Sequence, residues 1–257
     1  MSLDRTSALI RHNVRLLLAD PAPIVVITLM PLVLIAFLQG TGRAVLESEG
    51  LVGVTGAEQV VPGMTVLFAF FGVTYLGVSF FAEHGWGTWD RLRSSGATLI
   101  EILVGKLVPG GLVLLGQMAT QFTIGALIFD LRFAGSVIAL AAMMLTMTTF
   151  LVGLSLLCVA VFRTINQLSA AANVGGMAFA GLGGALAPMS VMPEWAQSIA
   201  PSSPAYWALQ GFRALSLDGA DLGGVARPVG MLLLFSAAAV AVAFACFRSS
   251  DEKVYTP

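Results

Sequence analysis

At 257 residues, with 57% hydrophobic side chains and only 11% charged ones, the chain departs from the roughly 45–50% and 25% of a soluble domain and has the composition of a membrane protein. A net charge of −1 leaves no basic surface for nucleic acid, and the two cysteines, Cys158 and Cys246, lie in apolar runs without CxxC spacing, as small buried hydrophobes do. Apolar runs at residues 24–38, 62–82, 107–129, 134–162, 168–187 and 229–247 predict an all-α integral membrane protein with six transmembrane helices in one domain, residues 1–257. Most of the runs reach the roughly 17–25 residues that a crossing helix needs, and backbone in hydrocarbon must be satisfied within each helix. The alternating pattern of a membrane barrel is absent.

Along the chain, residues 1–20 predict an interfacial helix with Leu3, Ser7, Ile10, Val14 and Leu17 on one face and Asp4, Arg5, Arg11, His12 and Arg15 on the other. No small-residue cleavage site of a signal peptide is visible in it. Asp20, Pro21 and Pro23 turn the chain into the first span, the shortest, which contains Pro31. The stretch 40–61, with Glu47, Glu49 and Glu58 against Arg43, reads as a loop on the outer side. Placing both termini in the cytoplasm puts nine Lys/Arg inside and four outside, the asymmetry that insertion favours.

The segment 83–97, between the second and third spans, is the most polar of the chain. It carries Glu83, Gly85, Trp86, Gly87, Trp89, Asp90, Arg91, Leu92 and Arg93. Trp86, Trp89 and Leu92 share one face of a short helix that Gly96 stops, and Gly85 and Gly87 allow a sharp exit from the second span. "TLIE" at 98–101 is a capping box that opens the third long helix. Such a projecting helix is either a lever toward a soluble partner or an anchor that floats its tryptophans at the headgroups. The external segment 188–227 predicts two short helices, opened by Pro193 and Pro204, that lie on or dip into the outer leaflet, with Trp195, Tyr206, Trp207 and Phe212 at the interface.

Chemistry is sparse. With only His12 and His84 there is no HExxH or His/Cys metal set, and no GxSxG occurs, so a catalytic cluster and a metal site are not expected. No span has an ionisable group near its middle, which disfavours an ion-coupled carrier. The neutral polar residues Thr74, Ser79, Gln117, Thr120, Gln121 and Asn173 either bond between helices or line a path for a substrate. A nucleotide loop ending at Lys106 would need glycine at 100 and Ser/Thr at 107, which are Ile100 and Leu107. If ATP drives this chain, another subunit binds it. A membrane assembly or scaffold protein without a transport cycle is the alternative.

Four stretches carry a resemblance: "VVPGM" at 60–64; Glu83 followed by Gly87-Thr88 and Arg91-Leu92-Arg93; Gly105-Lys106; and "PMSVMPEWAQSIAPSSPAYWALQGFRAL" after the fifth span. Together they resemble the membrane subunit of ABC-2-type ABC exporters, in the branch of daunorubicin-resistance permeases and nodulation-factor exporters. The resemblance implies two six-span permeases, identical or paralogous, over two copies of an ABC ATPase that holds ATP and Mg. It also implies export of an amphipathic, lipid-like or drug substrate across a bacterial cytoplasmic membrane, and segment 83–96 as the coupling helix. In that architecture the fifth helix lies near the dimer axis. Its small residues Ala172, Gly176, Ala180 and Gly184 would then serve subunit contact or the path, with packing inside one subunit as the other option. Family members often carry a proline where this chain has Ser94-Ser95-Gly96-Ala97, so the end of the coupling helix stays open.

Overall fold

The computed structural model describes residues 3–88, 91 and 94–247, and among them every regular element is helical. In chain order these are α1 (Leu3–Ala19), α2 (Ala22–Ser48), α3 (Ala57–Gly85), α4 (Leu99–Ile128), α5 (Val137–Val161), α6 (Ile165–Gly183), α7 (Glu194–Ile199), α8 (Pro204–Leu217) and α9 (Ala226–Phe247). Five of them, α2, α3, α4, α5 and α9, are long and apolar enough to cross a membrane. The expected fifth span is the 19-residue α6, whose Asn166, Gln167 and Asn173 leave it outside that set.

α3 is the axis of the domain. It packs against α2, α4, α5, α6 and α8, and Phe70, Phe80 and Phe81 along it are fully enclosed. α4 runs antiparallel beside it, so that Gly72 faces Leu114 and Gly110 faces Leu76. On another side α6 and the turn that follows it run antiparallel, from Leu168, opposite Gly77, to Ala185, opposite Gly63. A Cβ on Gly63 would stand 2.3 Å from the Ala185 carbonyl oxygen, and one on Gly176 would stand 2.8 Å from the Phe70 Cβ. Glycine on both helices is therefore what lets them touch. Ala172, Gly176 and Ala180 are buried in this seam, and Gly183 lies against the Tyr206 amide of α8. Gly184 ends α6 in the left-handed conformation, φ 96°, which glycine adopts without strain. Of the two options for this stripe, the structure realises packing inside one chain.

Two placements, those of α2 and α8, differ from the sequence reading. α2 continues to Ser48, and the connection to α3 shrinks to residues 49–56. Gly42 makes this possible, because its missing side chain leaves room for Val60 and for the Gly56 carbonyl. On α1 the buried residues are Thr6 and Asn13, and Leu9 fits against Gly105 of α4, whereas Leu3 is 80% exposed. The contact with α4 thus follows its small residue, beside the apolar residues Ile10, Val14 and Leu17, which are half-buried. α8 is also drawn inward, with Trp207 and Phe212 in the core instead of at an interface. Phe212 meets Phe122 at 4.9 Å between ring centroids.

Candidate functional site

The connections alternate between two ends of the bundle. One end holds α1, the α3–α4 connection and the α5–α6 turn, and the other holds residues 49–56, 129–136 and 184–225. At the first end α3 stops at Gly85, where the Trp86 amide donates to the Ala82 carbonyl at 2.9 Å and the Thr88 amide to the Glu83 carbonyl at 3.0 Å. Gly87, φ 65°, makes the turn that a side chain would strain. α4 then opens on the capping box expected at 98–101. The Thr98 amide donates to Glu101 Oε2 at 2.8 Å and the Glu101 amide to Thr98 Oγ1 at 3.3 Å.

Because α3 and α4 are antiparallel, the last turn of one and the second turn of the other are level, and Glu83 meets Lys106. Nζ of Lys106 lies 2.9 Å from Glu83 Oε1, donates to the Ser79 carbonyl at 2.9 Å and sits 5.6 Å from the centre of the Phe80 ring. Thr88 Oγ1 donates to the other carboxylate oxygen of Glu83. Glu83 was expected to reach toward a partner; its carboxylate is instead turned inward, where a buried charge requires a counter-charge. The clue in the sequence was Lys106 itself, one of two lysines in the chain, placed two turns into a helix that follows a hairpin.

Other described residues of the polar segment face out. Trp86 is 66% exposed, and Gly85 and Arg91 are also exposed. Trp89, Asp90, Leu92 and Arg93 lie outside the described residues. Arg5 of α1 donates to the Gly96 carbonyl at 2.5 Å, which ties α1 to the far end of the connection. A cavity of about 430 Å³ lies between α1, the connection and α4, bordered by Asn13, Trp86 and Arg91 and by the Glu83–Lys106 pair.

The same ion pair borders a larger cleft of about 880 Å³ between α1, α2, α3, α4 and α6. Its walls are mostly apolar. Thr74, Ser79 and Asn173, three of the residues singled out for a path, line it, and Thr74 Oγ1 donates to Asn173 Oδ1 at 3.0 Å. Gln117, Thr120 and Gln121 are not part of that lining. Gln117 and Gln121 are buried, without a hydrogen-bond partner among the described residues, and Thr120 is half-buried.

At the opposite end, a network absent from the sequence reading joins three distant segments. Arg213 of α8 pairs with Glu49, Ser190 Oγ donates to the same carboxylate, Arg213 Nη1 donates to Gln59 Oε1 at 3.4 Å, and Gln59 Nε2 donates to the Gly184 carbonyl at 3.1 Å. Partial burial would push the Glu49 carboxyl up. The hydrogen bonds from Ser190 and Arg213 and the arginine charge outweigh it and hold the carboxyl below its ordinary value. Glu58 accepts from the amides of Thr55 and Gly56 at 3.1 and 3.0 Å and so closes the α2–α3 turn. Trp207 Nε1 donates to the Pro201 carbonyl at 2.9 Å, with Arg227 over its ring at 5.1 Å and Tyr206 edge-on at 5.2 Å. Of the four expected interfacial anchors, only Trp195, 64% exposed, stands free of the core.

Residues 5–217 match the family model of the ABC-2 type transporter. The chain is 29% identical over 190 residues to the probable multidrug ABC transporter permease YbhR of Escherichia coli (strain K12), covering 74% of this chain and 52% of that protein. It is 24% identical over 187 residues to the linearmycin resistance permease protein LnrN of Bacillus subtilis (strain 168), covering 73% and 48% respectively. The chain thus spans about half the length of the curated relatives it matches. With the family model covering most of the chain and five helices fit to cross a bilayer, the chain belongs to the ABC-2 type transporter family as a multi-pass membrane protein.

Proposed function

We propose that the chain is the permease subunit of an ATP-driven exporter in a bacterial cytoplasmic membrane, moving an amphipathic, lipid-like or drug substrate outward. In this reading α6 is the sixth span and both termini are cytoplasmic, which places the α3–α4 end inside. ATP and Mg are bound by a separate ABC ATPase, two copies of which sit beneath two permease chains, identical or paralogous. Segment 83–97 is the coupling element, with Trp86, Trp89 and Leu92 as the apolar contact and Asp90, Arg91 and Arg93 as the charged one; segment 188–227 closes the outer side. The names of the relatives, multidrug and linearmycin resistance permeases, support a drug as the cargo.

One observation carries the coupling. The Glu83–Lys106 pair borders both the cavity beneath the connection and the large cleft, so a displacement of the connection displaces the wall of the cleft. A salt bridge buried at such a place is costly to distort and transmits position rather than absorbing it. The test is transport together with ATPase co-purification from the same membranes. Buried aromatic and arginine anchors typically contribute about 2 kcal/mol or more, close to thirtyfold in affinity. Trp89→Ala and Arg91→Glu are therefore expected to leave the permease inserted while both readouts fall by about that factor. Wild-type recruitment and transport in both variants would reduce the segment to a headgroup anchor and remove the coupling assignment.

A further inference from the structure

The lining of the large cleft has a charge and an aromatic content that its packing does not use. Its charged residues are Asp20, Glu83 and Lys106. Glu83 and Lys106 neutralise each other at 2.9 Å, and the ammonium is further occupied by the Ser79 carbonyl. Asp20 belongs to none of the ion pairs among the described residues. It is exposed at the edge of the cleft, and Oδ1 accepts from the Ala22 amide at 3.3 Å. On the same lining stand Phe71 and Tyr75 of α3 and Trp86 of the connection, while Val26 and Ile27 of α2 and Met177 of α6 supply aliphatic surface.

We propose that this cleft binds a lipophilic monocation, its charged end between Asp20 and the rings of Tyr75 and Trp86 and its apolar body between α2 and the α3–α6 face. A carboxylate at the rim of a mostly apolar cleft attracts a cation and repels an anion of the same shape. Aromatic faces add a cation–π contribution that no anion receives. The volume, about 880 Å³, falls in the range of sites that enclose drug-sized molecules. The inference rests on the transport reading above and deepens it by fixing the charge of the cargo.

The experiment uses the full chain in phosphatidylcholine nanodiscs without any ATPase. Radiolabelled tetraphenylphosphonium and tetraphenylborate, equal in shape and opposite in charge, are titrated separately by equilibrium dialysis, and partition into empty nanodiscs is subtracted. Saturable binding is expected for the cation and none for the anion. Asp20→Asn, which keeps an acceptor for the Ala22 amide, is expected to weaken the cation about tenfold. Tyr75→Leu is expected to weaken it severalfold, and Asp218→Asn at the opposite end to leave it unchanged. Equal binding of the anion, a cation affinity indifferent to both Asp20→Asn and Tyr75→Leu, or only unsaturable partition would each overturn the proposal. Because no ATPase takes part, a failure of ATPase recruitment would sink the transport reading and leave this result standing. A chain that recruits the ATPase but binds both ions alike would sink the monocation alone.

Discussion

The two ends of the bundle are built on different principles. At the end with residues 184–225, side chains far apart in sequence are tied together. Arg213 holds Glu49, Gln59 holds the Gly184 carbonyl, and Gln39 Nε2 donates to the Phe129 carbonyl at 2.9 Å. The Gly135 and Ser136 amides donate to the carbonyls of Leu215 and Ala220 at 3.0 and 3.1 Å, and the cavity left behind Arg213 is about 230 Å³. At the α3–α4 end the cleft is about 880 Å³, and among the described residues the contacts that reach across to the connection include the buried Glu83–Lys106 pair and the bond from Arg5 to the Gly96 carbonyl. The difference says where substitution acts on shape: at the α3–α4 end, sparser in such ties among the described residues, the ion pair is the central contact, and at the dense end the load is shared.

The sparse end should therefore break first. Lys106→Met strips the partner from a buried carboxylate, a change that typically costs about 3–5 kcal/mol, and it also frees the Ser79 carbonyl. The thermal midpoint of the detergent-solubilised chain should fall steeply, and the double variant Lys106→Met/Glu83→Gln should recover most of the loss. If the double variant stays as unstable as the single one, the lysine acts through its packing and the contrast between the ends loses its electrostatic basis.

Next in size is the seam that both ends share. Gly63→Ala would place a methyl group 2.3 Å from the Ala185 carbonyl oxygen, a backbone atom that cannot swing away, so overpacking of about 3 kcal/mol is expected. Gly175→Ala on α6, with nothing within 4 Å of its added carbon, should be tolerated. The ratio of monodisperse to aggregated protein in size-exclusion chromatography separates the two. A smaller effect, about 1 kcal/mol, is expected for Thr98→Ala, which removes the cap of α4. Faster hydrogen exchange confined to residues 99–102 would be its signature, and unchanged exchange there would mean that tertiary contacts alone hold the first turn.

Much of this was legible in the sequence because it depends on local rules. The apolar runs, the capping box at 98–101 and the helix opened by Pro204 follow from periodicity and capping chemistry, which act over one or two turns. What stayed hidden depends on which helices become neighbours. The extension of α2 to Ser48 is licensed by Gly42 meeting Val60 and Gly56; the seat of α1 on α4 is set by Leu9 meeting Gly105. The inward turn of Phe212 follows from its stacking on Phe122, and Glu83 turns inward because the hairpin sets it level with Lys106. A tryptophan- and arginine-bearing amphipathic helix reads equally well as an interfacial cap or as a buried plug, and only the partner surface decides.

The smallest expected effect sharpens the contrast from the dense end. Glu49 and Arg213 keep 15% and 31% of their side chains exposed, so the roughly 1.5–3 kcal/mol of a charge-assisted bond is reduced by screening to about 1 kcal/mol. The carboxyl lies below its ordinary value of 4.5 in the folded chain, so the unfolded chain takes up the proton first as the pH falls. The stabilisation is thus fully present above about 4.5, the unfolded value, and is lost as the pH drops through the lower folded value. Glu49→Gln removes the titrating group and keeps an acceptor for Ser190. Its thermal midpoint should lie slightly below that of the wild type at pH 7, and the two should converge as the pH is brought below 4.5. A gap that persists unchanged in acid would assign the effect of Glu49 to shape rather than charge, and the dense end would then be held by its backbone bonds without the ion pair.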